Sequence, residues 1–179
     1  MPFIRVTHPA GALTAGQKKE LASTLAYEVM AQELDPVTDD SLSMAPVFFQ
    51  EIDPENYFPG GKPMSENFGK TRWIVEVVVA AAFFNQSRRD ALQDTVGKAF
   101  VKLFGDDGSE IVRGKLRISP AYLLQLHTVI VEIPEGNWGS GGRTIEIDEI
   151  GEILGSYEGQ ERLQEARENS AKLKAARVS

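Results

Sequence analysis

The chain begins Met1-Pro2, and the proline in second position is the residue with the clearest chemical potential. Methionine aminopeptidases trim Met before proline, so we expect the mature chain to begin at Pro2. Its terminus would be a secondary amine with a reference pKa of about 7.7 to 8.0, which burial lowers by disfavouring the cation. Such an amine is a competent base or nucleophile in a cleft, whereas most second-position prolines belong to a frayed terminus.

Composition limits the classes of protein to consider. The chain has 179 residues, of which 42% are hydrophobic, enough for one substantial domain. The absence of cysteine excludes disulfides, thiol nucleophiles and thiolate metal sites. The formal charge of -7 disfavours a broad nucleic-acid surface and favours a small molecule or a protein as partner. With no evident signal peptide or long apolar run, we expect a cytoplasmic protein that does not contact a membrane.

Two segments with the same element order position this terminus. In the first, the alternation from Phe3 to Thr7 predicts a strand, and Thr14 with Gln17 has the spacing of a capping box at the start of a helix. VFFQEI, from Val47 to Ile52, predicts a second strand. Apolar residues four apart mark the buried stripe of the helix: Leu21, Leu25 and Val29. The first unit is β-α-β.

The same order recurs in the second segment. RWIVEVVV, from Arg72 to Val79, predicts a strand, and Ser87 and Asp90 are expected to cap the next helix. TVIVEI, from Thr128 to Ile133, predicts the returning strand. The helix stripe comprises Leu92, Val96, Ala99, Phe100 and Leu103.

The tails of the two units align without a gap. EIDPENYFPGG begins at Glu51 and EIPEGNWGSGG begins at Glu132, and the pattern of Glu, Ile, Asn, aromatic and Gly-Gly recurs. The shared pairs are Glu51/Glu132, Ile52/Ile133, Asn56/Asn137, Tyr57/Trp138, Gly60/Gly141 and Gly61/Gly142. These matches indicate a duplication. For the two glutamates, duplication favours a structural role over catalysis.

The predicted fold is α+β, with two tandem β-α-β repeats forming a four-stranded sheet that carries both helices on one face. We expect a single domain over residues 1–150, with repeats at 2–61 and 72–142, and a C-terminal helical tail over 151–179, solvated from Tyr157 onward. WIVEVVVAAAFF predicts a strand buried on both faces, so the open face needs a cover, most simply self-association. TIEIDEI, from Thr144 to Ile150, predicts an edge strand whose carboxylates face solvent rather than a metal.

These features together resemble the tautomerase superfamily, which includes 4-oxalocrotonate tautomerase, malonate semialdehyde decarboxylase and cis-3-chloroacrylic acid dehalogenase. The resemblance rests on Met1-Pro2, LTAGQKKEL, the duplicated units and GNWGSGG. VFFQEIDPENYFPGG is similar to a region of the dehalogenase-like, two-repeat members, and EGNWGSGG resembles the hairpin that closes the 4-oxalocrotonate tautomerase unit. The resemblance covers about Pro2 to Gly142.

The resemblance implies a homotrimer in which Pro2 is the general base or acid, in a cleft lined partly by a neighbouring subunit. Only the first repeat carries such a group, since the strand near Arg72 has no free terminus. Tyr57, Phe58 and Trp138 are candidates for an apolar wall. Neutral Pro2 would remove a proton beside a carbonyl and return it to another carbon, while a donor stabilises the enolate oxygen. No metal or organic cofactor is needed.

The cations depart from the resemblance. Members that act on carboxylates commonly have arginines in the turn before a helix, whereas PAGALT and AAAFFNQS have none. Arg5 is an alternative cation or a member of a surface or intersubunit ion pair. His127 begins a strand whose counterpart carries an arginine, and it either polarises a carbonyl as a second catalytic residue or is structural. Asn137 and Trp138 either line the site or pack at an interface. The predicted substrate-binding set is Arg5, Tyr57, Phe58, Asn137 and Trp138.

Three functions remain open at this point. The first is a keto-enol tautomerase acting on a small α-keto acid or related carbonyl compound. The second is a proline-dependent decarboxylase, hydratase or dehalogenase, which two arginines converging on Pro2 would favour, whereas an apolar cleft with one donor would favour tautomerisation. The third is a tautomerase-fold protein that binds a ligand or partner without turnover, as the missing turn arginines would allow.

Overall fold

The computed structural model describes residues 2–64, 72–153 and 160–178, in which helices and strands alternate. The strands are β1 (Phe3–Pro9), β2 (Val47–Ile52), β3 (Trp73–Ala80), β4 (Ile111–Arg113), β5 (Leu116–Ile118), β6 (Leu126–Ile133), β7 (Gly139–Ser140) and β8 (Arg143–Thr144). The helices are α1 (Ala15–Glu33), α2 (Asp39–Ser43), α3 (Gln86–Phe104), α4 (Ile147–Ile153) and α5 (Glu161–Val178). The predicted α+β fold is confirmed.

The central sheet has the strand order β2-β1-β3-β6. Within each repeat the two strands are parallel, and the repeats meet through the antiparallel pair β1 and β3. Since the repeats run in opposite directions, the first strand of each begins where the last strand of the other ends. Each end of the sheet therefore combines the start of one repeat with the end of the other.

The helix starts explain why the two repeats match so closely. Thr14 and Gln17 form the predicted capping box of α1. The predicted caps of α3 are wrong, because Asn85 accepts from the Arg88 backbone N–H and the helix begins one residue later. Helices α1 and α3 each contain 19 residues. With their caps at residues 14 and 85, they correspond residue for residue at an offset of 71 positions.

One face of the sheet carries the core. Ile4, Val6, Val75 and Val77 are fully buried against the helices. The predicted stripes of both helices join this core: Leu21, Leu25, Val29, Leu92, Val96, Ala99 and Phe100, with Leu103 partly buried. Fully burying an aliphatic side chain contributes about 1.5 to 3 kcal/mol, so this layer holds the repeats together.

The opposite face of the sheet is only partly covered. Val78 is buried there, but Phe48 on β2 and Val129 on β6 are 53% and 46% exposed. The strand within WIVEVVVAAAFF ends at Ala80, and Ala81–Phe83 form a 3₁₀ turn. Apolar side chains on several strands, around the Arg5–Glu76 ion pair, remain available for association.

The C-terminal part corrects one prediction and refines another. TIEIDEI is not an edge strand, because only its first residue belongs to β8 and α4 occupies Ile147–Ile153 across the predicted domain boundary. The predicted tail helix is present as α5, but one side of it is docked, since Leu163 and Ala166 are fully buried. In the described residues, no helix is long and apolar enough to span a membrane.

Candidate active site at the sheet end that holds Pro2

Pro2 is buried immediately before β1. Phe3 pairs with Val78 in the antiparallel ladder, so Pro2 lies at the sheet end where β3 and β6 finish. Continuing the alternation from Ile4 and Val6 places Pro2 on the helix side of the sheet. It therefore lies near the carboxyl end of the second repeat.

The Gly-rich hairpin β7–β8 lies at this same end. The Trp138 ring lies 6.5 Å from the Phe3 ring between centroids, and the hairpin is closed by a 2.9 Å hydrogen bond from the Ile145 backbone N–H to the Trp138 carbonyl. Gly141 and Gly142 have positive φ angles of 61° and 79°, which side chains disfavour and glycine adopts readily. The glycines thus make the turn that holds Trp138 beside the amino terminus.

A groove of about 560 Å³ runs along this hairpin. Its lining includes Asn137, Trp138 and Arg143 together with glycine backbone. Asn137 is exposed, while Trp138 is half-buried against the core. The groove therefore offers an apolar ring, an amide and backbone groups within a few residues of one another.

Two arginines near this end, Arg143 and Arg89, are engaged by carboxylates. Arg143 Nη1 donates to Glu149 at 2.6 Å, and Arg89 Nε donates to Glu132, the penultimate residue of β6. The Glu132 hydrogen bond raises the already high pKa of Arg89 further. Both guanidinium groups are thereby held in place by their own chain.

Arg5 lies on the partly open face of the sheet. Its Nη1 donates to Glu76 Oε2 at 3.0 Å, and its guanidinium lies 5.9 Å from the centre of the Phe3 ring. The ion pair is the surface alternative foreseen for Arg5. The Phe3 ring, which the Arg5 guanidinium approaches, also contacts Trp138.

Three further predicted site residues lie at the opposite end of the sheet. His127 is exposed near the start of β6 and pairs with Ile74, which in turn pairs with Thr7. Tyr57 and Phe58 follow β2, whose last residue pairs with Pro9. Burial raises the pKa of Tyr57, and Phe58 is 53% exposed. Within one chain, Asn137 and Trp138 lie at the same end of the sheet as Pro2, and His127, Tyr57 and Phe58 lie at the other end.

Sequence reasoning missed Glu33, the last residue of α1, which is 2% exposed. It continues the four-residue spacing of Leu21, Leu25 and Val29, so it belongs to the face of α1 that packs on the sheet. That spacing was a signal available in the sequence. A carboxylate on a buried stripe stands out because removing a charge from water is costly unless it is paired.

The arrangement was compared with known proteins. The sequence matches no family model and no curated protein. A structure described as native fused 4-OT is similar over 79% of this chain and 94% of its own, with a TM-score of 0.60 and 17% identity. The F6 fused 4-OT asymmetric trimer matches over 86% and 98%, with a TM-score of 0.59 and 16% identity.

The chain has the same fold as these fused 4-OT structures. A migration inhibitory factor from Toxoplasma gondii is a more distant match, over 80% of this chain and 99% of its own, with a TM-score of 0.50 and 15% identity. A further match is Pt0534 inactivated by 2-oxo-3-pentynoate, over 83% and 98%, with a TM-score of 0.53 and 18% identity. At such identities the likeness establishes the tautomerase fold, and the chemistry must be argued from this chain's residues.

Proposed function

We propose that the protein is a cofactor-independent, tautomerase-like enzyme that uses the amino-terminal Pro2 as its general base and acid on a small α-keto acid or related carbonyl compound. The observation that carries the proposal is the burial of Pro2 at the sheet end where the Trp138 hairpin packs on Phe3. A buried secondary amine loses hydration of its cation, which leaves more of the neutral base at pH 7.

The proposed reaction is a proton transfer between two carbons. Neutral Pro2 takes the proton beside the carbonyl, and the electron pair of the broken C–H bond forms the enolate. Asn137, exposed in the groove, donates a hydrogen bond to the developing oxyanion. The Pro2 cation then releases the same proton to the second carbon, which restores the amine.

The ion pairs of two arginines favour tautomerisation over lyase chemistry, in which arginines would bind the carboxylate of the substrate. Arg89 and Arg143, at the Pro2 end, are each held by a glutamate of the same chain. Lyase chemistry on an acid would favour two arginines directed at the substrate instead. The half-buried Trp138 ring and one amide donor fit a substrate whose reacting part is a neutral carbonyl.

We also propose a homotrimer, supported by the apolar open face of the sheet. The fused 4-OT matches include an asymmetric and a symmetric trimer. Assembly would bury Phe48 and Val129, which a single chain leaves about half exposed. It would also give His127, Tyr57 and Phe58 a route to a neighbouring chain's Pro2, as donor and apolar wall.

The deciding experiment is ketonisation of phenylenolpyruvate by protein whose intact mass shows that Met1 has been removed. In this direction Pro2 takes the proton of the enol O–H group, and the Pro2 cation delivers a proton to the neighbouring carbon, which becomes the new C–H bond of the keto form. Pro2→Ala is expected to lower kcat/KM by about two orders of magnitude or more, the usual contribution of a positioned base. The matched control keeps Pro2 but extends the chain before it, which converts the amine to an amide without a basic lone pair. Equal turnover by this extended chain would contradict a role for the Pro2 amine.

A further inference from the structure

Glu33 and Pro2 occupy positions whose counterparts in the second repeat are in contact. The 71-position offset that relates α1 to α3 also relates the end of β1 at Pro9 to the end of β3 at Ala80. Under it, Glu33 corresponds to Phe104 and Pro2 corresponds to Trp73. The Trp73 and Phe104 rings lie 5.3 Å apart between centroids.

In the second repeat this place is aromatic, with Trp73 buried and Phe104 38% exposed. Trp73 is 4% exposed and packs against Phe100 as well, at 5.5 Å between ring centroids. The first repeat has a pyrrolidine and a carboxylate where the second has an indole and a phenyl ring. Where the second repeat has two aromatic rings in contact, the first repeat therefore has two smaller groups that can ionise, the Pro2 amine and the Glu33 carboxylate.

The packing around α1 supports the same placement. Met30 and Leu34, which flank Glu33, pack on Ala45, and the next carbonyl, that of Pro46, accepts a 3.0 Å hydrogen bond from the Ile4 backbone N–H. The last turn of α1 is therefore tied to the first residues of β1. Glu33 faces the sheet from that turn and is 2% exposed.

We propose that Glu33 is the charge partner of the Pro2 amine, a positioning residue that orients the nitrogen and stabilises the cation formed when Pro2 takes up a proton. The proposal rests on the function proposed above. In the catalytic cycle Glu33 remains a carboxylate: the proton moves from substrate carbon to Pro2 and back to carbon, as a buried aspartate supports a histidine base in hydrolases. A nearby carboxylate raises the pKa of an amine, opposing the lowering caused by burial.

Other charged groups also lie at this end of the molecule and must be considered when the pH profile of Pro2 is interpreted. They are Asp35 after α1, Asp39 and Asp40 on α2, Arg88 and Arg89 on α3, Glu132 on β6, Glu135, Arg143 and Glu149 around the hairpin and α4, and Glu161, Arg162 and Glu165 on α5. Arg88 donates to the Phe83 carbonyl at 2.5 Å and to Glu165. Most of these residues are exposed or paired with one another. Glu33 is 2% exposed at the end of α1.

The experiment measures how the rate of arylation of the Pro2 amine by a nitrobenzofurazan chloride depends on pH, with peptide mapping to isolate the amino-terminal product. Glu33→Gln is expected to shift the midpoint of this profile down by about one pH unit or more, because the neutralised neighbour no longer favours the cation. Glu20→Gln, an exposed change on the same helix, is the matched control and is expected to leave the midpoint in place. Glu33→Leu, which suits an apolar stripe, repeats the test if the Gln variant does not fold.

The outcomes separate the two proposals. A lowered midpoint in Glu33→Gln or Glu33→Leu supports the pairing even if no enolpyruvate is turned over, a result that would count only against the proposed activity. An unchanged midpoint in a folded variant overturns the pairing while leaving a Pro2-dependent activity intact. A chain that retains Met1 yields no product at Pro2, which overturns both.

Discussion

Arg89 Nε donates a hydrogen bond to Glu132, and the same relationship recurs between Lys18 Nζ and Glu51 at 2.7 Å. Each cation is the fourth residue after its helix cap, and each glutamate is the penultimate residue of the returning strand. In each repeat, therefore, an ion pair, called the tie below, joins the start of the helix to the end of the returning strand. Because the repeats are antiparallel, one tie lies at the Pro2 end of the sheet and the other lies away from it.

The two ties are expected to differ in their effect on catalysis. Arg89→Met releases Glu132 at the Pro2 end and should lower kcat/KM about tenfold or more, since a small displacement of a site can be costly. Lys18→Met removes the equivalent tie at the far end and should leave kcat/KM within about twofold. The comparison requires phenylenolpyruvate kinetics on both variants at matched oligomeric state. Equal losses in both would show that the ties support only the fold.

The Lys18 tie is expected to make stability depend on pH. The hydrogen bond and charge of Lys18 lower the pKa of Glu51. A carboxylate with a lowered folded-state pKa stabilises the protein above its unfolded pKa, and this contribution is lost as pH falls through the folded value. Urea unfolding of wild type and Lys18→Met should therefore differ more at neutral pH than under acidic conditions. A difference of the same size in both would assign the effect of Lys18 to packing of its aliphatic stem.

The core elements could be predicted from the sequence because their signals are local. The Thr14–Gln17 box, the stripe at four-residue spacing and the alternation in Val47–Ile52 each specify one element without information from elsewhere in the chain. The 81-position match also located both glycine turns: Gly60 and Gly61 have positive φ angles, as Gly141 and Gly142 do. Local patterns and duplication together determine the order of elements.

What depended on distant contacts could not be predicted. Ile145 and Ile147 fit the alternation of a strand, whereas Ile147 and Ile150 have the spacing of a helix turn. Glu135, two residues after β6, accepts from the Ile147 backbone N–H at 3.0 Å where α4 begins. Likewise, the sequence grouped Tyr57 with Trp138 in one wall because the antiparallel β1–β3 pair, which sends them to opposite ends, leaves no local signal.

The Trp138 ring is expected to hold the Pro2 end in its active geometry. Trp138→Ala removes the contact with Phe3 and should lower kcat/KM by about one to two orders of magnitude, because misplacement of the reacting groups is costly. Trp138→Phe keeps an aromatic ring and should retain most of the activity. Steady-state kinetics with circular dichroism of both variants make the comparison. Full activity in a folded Ala variant would exclude Trp138 from the site.

The partly open face of the sheet is expected to be the trimer interface. Val129→Lys adds a charge to this face on its edge strand β6, where Val129 is 46% exposed, and should reduce the mass measured by light scattering from about three chains of 19.7 kDa to one. Val112→Lys is the matched control, since Val112 is 54% exposed on the β4–β5 hairpin outside the central sheet. Trimeric Val129→Lys protein would place the interface elsewhere.

The docked side of α5 is expected to contribute to the stability of the domain rather than to form a separate tail. Leu163 is fully buried and Asn169 Nδ2 donates to the Ala82 carbonyl at 3.2 Å, at the turn that follows β3. Leu163→Ala should therefore destabilise the protein by about 2 to 5 kcal/mol, the usual cost of emptying a buried leucine site. Leu173→Ala, at a position that is 42% exposed, should have a much smaller effect. Urea unfolding at one fixed protein concentration, which keeps assembly constant, makes the comparison. Equal, small losses in both variants would show that α5 docks too weakly to belong to the cooperative unit.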